Sequence, residues 1–486
     1  MLANELQVLH QWREADTFGN RRDRLIAYNS LRRPHDRQNV SPTSRAARSD
    51  CLQRPSRFCF MRPEPVTASA SPFSSRTVRV RTSYRHAIGL LLLAVSGCSP
   101  LPAPKASSES THLFVWAWDV DKNADDFLAV VDVDRHSAAY GQVVRTLPAP
   151  GGRGAHHVEY ELTTSKLFAN SFETGHTFVF DLSDPVHPRL FSDFGDAGPY
   201  SHPHSFARTP SGTVLATFQS LAADHHATGG LVELDDRGRM LRAASAANPL
   251  DPDVRPYSLA VVPTLDRVVT TSADMHGVTV GRSVQMWRLS DLTLLHTVLL
   301  PPGPRGNEHL HPAGVRVLGD GISVMVATFR CGLYVLSELD GMPVAKLARS
   351  FPWSAVEGQD TDCNVPVRSG RFWVQPVGTT GSLVVLDVST PENPAIADEL
   401  AFGVDARPHW LALDPGGKRI VMTGGGTLAG GVYLIDMDPE TGKLQLARDL
   451  PATGSGIPGI RYDRDEWPHG KTGPAFAHGA VFGSVK

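Results

Sequence analysis

Histidine is the residue type in this chain whose placement can do chemistry. Of twenty histidines, a subset recurs at the starts of apolar runs: His156-His157, His202-Pro-His204, His309-Leu-His311, His409 and His478. An imidazole with its ordinary proton affinity is largely neutral at pH 7, so several can converge and share a transition ion at roughly 2 Å each. The ligand set this singles out is His156, His157, His202, His204, His311, His409 and His478. Imidazole-only ligation suits Cu, Zn, Fe or Ni, and the scarcity of carboxylates beside it argues against Ca or Mg. His202 and His204 stand at i, i+2 and share one face if the strand there is regular. Glu159 and Glu308 are the acids placed to orient ring N–H groups. The competing reading is structural: a repeated turn histidine that bonds neighbouring backbone. His136, His187, His276 and His296 show no recurrence, His225-His226 sits in a Gly-flanked stretch read as a rim loop, and His469 in Trp467-Pro-His-Gly470 is left unassigned. Other chemistries fail on inspection. No CxxC pair occurs for zinc. Asp121–Asp126 lacks the glycine and terminal Glu of a calcium loop, and Gly424–Gly431 carries no lysine for a phosphate cradle. No G-x-S-x-G nucleophile context is present.

What positions these side chains is a repeat. A short alternating apolar run closing on a polar residue and a turn recurs with anchors at Asp132, Asp181, Asp235, Arg288, Ser337, Asp387 and Asp436, spaced by 49, 54, 53, 49, 50 and 49 residues. Seven copies at that period are four short strands plus turns each, the spacing of a propeller blade. Gly 43 and Pro 37 in 486 residues supply the turns that so many short strands need. The first copy starts at its second strand, His112–Trp118, and the missing inner strand is available as Pro474–Val481 at the far end. Closing a ring with strands from both termini removes free sheet edges. The expected fold is all-β, a seven-bladed β-propeller over 112–486, with inner strands beginning beside a central channel.

The first hundred residues read differently. The formal charge of −3 hides a basic stretch, residues 1–85, with sixteen Arg, no Lys and seven acids, against a net acidic remainder. Whole-chain electrostatics gives no case for a nucleic-acid partner. Residues 1–84 show no apolar period and read as disordered, or as sequence upstream of the true start. Residues 85–98 read as a lipoprotein signal peptide: Arg81, Arg85 and His86, then the apolar run Ala87–Gly97, then Cys98. That run is too short to span a bilayer, which takes roughly 20 residues. Val95-Ser96-Gly97-Cys98 looks like a lipobox, so Cys98 is the expected lipidation site. Residues 99–111 form a tether, and the protein is expected outside the cytoplasm, anchored to the membrane through lipid alone, on the periplasmic face of the outer membrane. In that compartment Cys331 and Cys363 either pair or stay as free buried thiols.

At the same residues the sequence resembles the selenium-binding protein / methanethiol oxidase family. Asp126–Asp134, Tyr140–Pro148, His156-His157, Phe180–Leu190, Leu413–Ile420 and Gly473–His478 carry the likeness. The resemblance implies a propeller whose bacterial members use copper to oxidise methanethiol to formaldehyde, hydrogen sulfide and hydrogen peroxide. It places family histidines on His156, His157, His202, His204 and His478. The chain departs from the pattern at three points. The thiol that holds selenium in animal members falls on Gly141, a family His-Gly-Asp stretch appears as Gly378–Ser382, and a family Glu falls on Gly314, with His311 nearby. The expected function is a lipid-anchored, copper-dependent oxidase of methanethiol or another small thiol. The alternative is a non-catalytic propeller, either a scaffold or a copper- or selenium-binding protein.

Overall fold

The computed structural model describes residues 109–483 apart from 278, 353–362 and 425–430. The leader, Cys98 and most of the tether lie outside the described residues. Seven antiparallel sheets form a ring, each of four strands, with Ile460–Arg461 added to the last. Blade one is Ala475–Gly483, His112–Asp119, Phe127–Asp132 and Val143–Pro148, from the inside outwards. The next six run in chain order from inner strands Ala155–Val158, Tyr200–Arg208, Pro256–Val262, Pro312–Val317, Val367–Ser369 and Pro408–Leu413. Blade one therefore closes the ring as the repeat predicts: Ala475–Gly483 pairs with His112–Asp119 from His112↔Gly483 to Asp119↔Ala475.

Neighbouring blades pack on both faces of the middle strands. Those strands are accordingly continuous apolar runs, such as Leu113–Ala117 and Leu383–Leu386, with every residue buried. Outer strands have one wet face and show it: Ala395–Ala401 is mostly exposed. A second lock holds the chain's entry point. The Asp414 carboxylate accepts the Ser110 N–H at 3.0 Å and pairs with Arg419 at 3.2 Å, and Arg419 also donates to the Val133 carbonyl at 2.7 Å.

The two propeller cysteines are bonded. Cys331 lies in the turn before Gly332–Ser337 of blade five, and Cys363 precedes the inner strand of blade six, 32 residues on. Just beyond, the Val365 N–H donates to the His409 carbonyl at 3.1 Å and Val365 forms a parallel bridge with Trp410. Of the two states left open by the sequence, the paired one is found.

Candidate metal centre

The inner strands share one irregularity, and it builds the site. In six blades two inner-strand residues oppose one residue of the second strand: His156-His157 against Asn170, His204-Ser205 against Thr217, Tyr257-Ser258 against Thr271, Ala313-Gly314 against Ala327, His409-Trp410 against Thr423, and His478-Gly479 against Trp116. Such a bulge bends the strand and re-aims its side chains. The first bulge position holds His409, His478, His156 and His204 on blades seven, one, two and three, which are consecutive round the ring. His157 takes the second position on blade two.

The bulges leave backbone groups out of the ladder, and the opposing residue satisfies them. The Asn170 amide oxygen accepts the His157 N–H at 2.6 Å, and Thr217 Oγ1 accepts the Ser205 N–H at 3.1 Å. Across to the next blade, Thr217 Oγ1 donates to the Tyr257 carbonyl at 2.7 Å and Thr423 Oγ1 to the His478 carbonyl at 2.9 Å. Asn170 Nδ2 reaches the Pro203 carbonyl at 2.8 Å. These residues fix the site without touching its centre. Sequence reasoning passed over them, although a polar residue, Asn170, Thr217, Thr271 or Thr423, recurs in the second strands of four blades.

The result is a packed imidazole layer. His156 and His157 stack at 4.3 Å between ring centroids; His156 lies 4.2 Å from His478 and 4.9 Å from His204, and His157 lies 4.2 Å from His204. His409 Nε2 sits 3.0 Å from His478 Nε2. One donor atom from each of His156, His157 and His478 falls within 4.8 Å of the others. His156, His157, His204 and His478 are all at most 3% exposed. Burial and the neighbouring imidazoles push His156, His157 and His478 well below the ordinary histidine range, and burial takes His204 to about 3 and His409 to about 4. All five are neutral at pH 7 and can act as ligands.

The donor set fits a transition ion. His204 Nδ1 lies 3.0 Å from the Tyr257 carbonyl, which can only accept, so Nδ1 carries the proton and Nε2 presents a bare lone pair. That Nε2, together with His157 Nε2, His156 Nδ1 and His478 Nδ1, is buried without a hydrogen-bond partner. Buried polar atoms are rarely left so, and the donor atoms of His156, His157 and His478 lie near enough to one another to share an ion. Ser205 Oγ lies 3.0 Å from His157 Nδ1, 3.1 Å from His204 Nδ1 and 3.2 Å from Tyr160 Oη, and Tyr160 Oη continues to Ser258 Oγ at 3.0 Å. Tyr160 stacks on Trp410 at 5.1 Å, with the Arg316 guanidinium 3.8 Å from the Tyr160 ring centroid, and borders a cavity of about 280 Å³ further along the channel.

The other sequence candidates sit elsewhere. His202 and His311 precede Pro203 and Pro312, two residues ahead of the first bulge position, both with left-handed backbones at φ 56° and 55°. The strand is not regular there, so His202 does not share the face of His204. Its ring meets His225 at 4.6 Å and His276 at 4.8 Å. His469 bonds Thr146 Oγ1 at 2.7 Å. Glu159 pairs with Arg208 at 2.9 Å, and Glu308 accepts the Arg305 N–H and Ser350 Oγ, so the hydrogen bonds of both acids go to groups other than imidazoles. The departures have structural counterparts as well. A side chain at Gly314 would run into Pro366 of blade six, and one at Gly141, φ 76°, would run into Leu450.

No family model matches this chain. It is 29% identical over 180 residues to a methanethiol oxidase of Hyphomicrobium, covering 36% of this chain and 41% of that protein. A methanethiol oxidase of Ruegeria pomeroyi is 30% identical over 148 residues, 29% of this chain and 34% of that protein. The chain thus spans less than half the length of these relatives. In structure it is similar to a hypothetical selenium-binding protein from Sulfolobus tokodaii, with TM-score 0.62 and 15% identity over 77% of this chain and 94% of that one. The chain is therefore similar to methanethiol oxidases over part of its sequence and to a protein named for selenium binding in its fold, and the family resemblance read from its own residues stands.

Proposed function

We propose that this protein is a copper-dependent oxidase of methanethiol or another small thiol, working outside the cytoplasm on a lipid anchor at Cys98. The observation that carries the proposal is the group of buried, unpartnered imidazole nitrogens of His156, His157, His204 and His478 on three consecutive blades. Similarity to two methanethiol oxidases supports the substrate class, and the Cys331–Cys363 bond supports an oxidising compartment.

Copper, when bound, supplies one-electron redox chemistry and a partner for a thiolate sulfur. The chain's own residues do the rest. His156, His157 and His478 would hold the ion, with His204 and His409 alongside. The Tyr257 carbonyl fixes the His204 tautomer. Ser205 Oγ and Tyr160 Oη form a hydroxyl line from His157 toward the cavity that can hold or pass a proton. The buried aromatic surround of Tyr257, Phe172 and Trp410 keeps bulk water away.

The test is to purify the protein, measure bound copper, and assay peroxide and sulfide release from methanethiol. Activity and copper are expected together, and both fall in His156→Ala and His478→Ala. A metal-free, inactive protein that added copper cannot restore refutes the proposal. Copper without turnover would instead favour the binding-protein reading, which the closed space at Gly314 also favours.

A further inference from the structure

Past the imidazole layer the channel carries a different chemistry. The cavity of about 280 Å³ is lined by inner-strand residues of blades three to seven and by the segment that follows the inner strand of blade two. Tyr160, in that segment, lies across the channel. Its hydroxyl reaches Ser205 Oγ of blade three and Ser258 Oγ of blade four, and its ring stacks on Trp410 of blade seven. Two further lining residues, Glu161 and Thr163, are exposed, so the cavity opens to solvent.

The charges around this space do not cancel. Three arginines, Arg208, Arg316 and Arg368, and two glutamates, Glu159 and Glu161, leave one net positive charge. Arg208 and Glu159 pair at 2.9 Å and neutralise each other. Arg316 and Arg368 stand on the inner strands of neighbouring blades five and six, and among the described residues neither makes an ion pair. Both are held by their own strands: Arg316 Nη1 donates to the Val315 carbonyl at 2.8 Å, and Arg368 Nη1 to the Gly370 carbonyl. The Arg316 guanidinium also lies 3.8 Å from the Tyr160 ring centroid, while its Nη2 is buried with no hydrogen-bond partner. Burial pulls this guanidinium below its ordinary proton affinity, a desolvation cost that an anion beside it offsets.

The rest of the lining narrows the class of anion. Val261, Val317 and Leu413 line the cavity and are only partly buried, so they offer apolar surface to whatever enters. An apolar wall with one fixed cationic fork suits an amphiphilic ligand of single negative charge. The volume lies just below the roughly 300 Å³ at which drug-sized sites begin, so the ligand is small.

We propose that this cavity binds one small aliphatic monocarboxylate, its carboxylate taken by Arg316 with Arg368 adding positive charge, and its short tail against Val261, Val317 and Leu413. The site goes beyond the oxidase reading and stands whether or not the imidazole layer carries copper.

The test is calorimetric titration of the protein with butyrate, as purified and after metal removal. One butyrate per chain is expected, with the same affinity in both preparations. Arg316→Gln should weaken it at least about tenfold, the loss of a hydrogen bond to a charged group. Arg368→Gln should weaken it about twofold to fivefold, and Glu161→Gln, at an exposed position, should tighten it by about as much. These two variants read the site even where Arg316→Gln fails to fold. Neutral butyramide should not compete. Absence of saturable butyrate binding, competition by butyramide, or an affinity indifferent to both Arg368→Gln and Glu161→Gln overturns the proposal. Sulfate binding more tightly than butyrate overturns the choice of a carboxylate.

Discussion

Reduction of the Cys331–Cys363 bond is the perturbation whose size can be worked from the structure. The bond closes a loop of 32 residues of separation. In the chain-entropy treatment, cross-linking over that length removes about 12 cal/mol/K from the unfolded ensemble, or about 3.7 kcal/mol at 25 °C. A propeller of roughly 375 residues unfolds with an entropy near 0.8 kcal/mol/K, so the midpoint should fall by about 5 °C on reduction. Both cysteines are buried, at 0% and 1% exposure, so reductant must act during unfolding and refolding rather than on the native protein. The assay is thermal unfolding of metal-free protein with and without reductant, alongside peptide mapping for a 331–363 cross-link. Bonded wild type, rather than a Cys→Ala pair, is the right reference because it keeps core volume constant. The stretch after Cys363 pairs with the His409–Trp410 bulge, so the reduced protein should also bind copper more weakly. A midpoint that ignores reductant, together with an uncross-linked peptide map, would refute the pairing and remove its support for an extracytoplasmic site of action.

Acid should destabilise the metal-free fold in a defined window. His204 and His409 titrate at about 3 and about 4 in the folded protein because burial disfavours their charged forms, so below about pH 6.5 the unfolded chain takes up protons that the fold does not. Stability is then lost as pH falls from 6.5 toward 4; melts that stay flat across this range count against a neutral imidazole layer. Asp414→Asn should cost about 3–5 kcal/mol, since it leaves the Arg419 guanidinium buried without its carboxylate; denaturant titration reads this directly. A chain ending at residue 474 loses the strand that closes blade one and with it His478, and exposes the edge of His112–Asp119. It should aggregate rather than purify as a folded monomer, and recovery of a monodisperse folded protein would show that closure is not required.

How much of this was readable in the sequence depends on which period carried the information. The fold was legible because a blade repeats seven times at about fifty residues, and because the first copy visibly lacks a strand that the C-terminus supplies. The imidazole layer was legible only in outline. Recurrence put histidines at the starts of inner strands, but their aim is set by a two-for-one bulge, and a bulge leaves no mark in hydrophobic alternation. That is why His156, His204, His409 and His478 converge, while His202, only two residues from His204, turns to His225 and His276. The i, i+2 argument assumes a period of two, and a left-handed φ of 56° at His202 breaks it. The partner residues that hold the bulges were in view all along as Asn170, Thr217, Thr271 and Thr423. A polar side chain at the centre of a strand buried on both faces must find a bond, and these four find theirs at backbone groups of the bulged residues, a pairing that only the fold brings about.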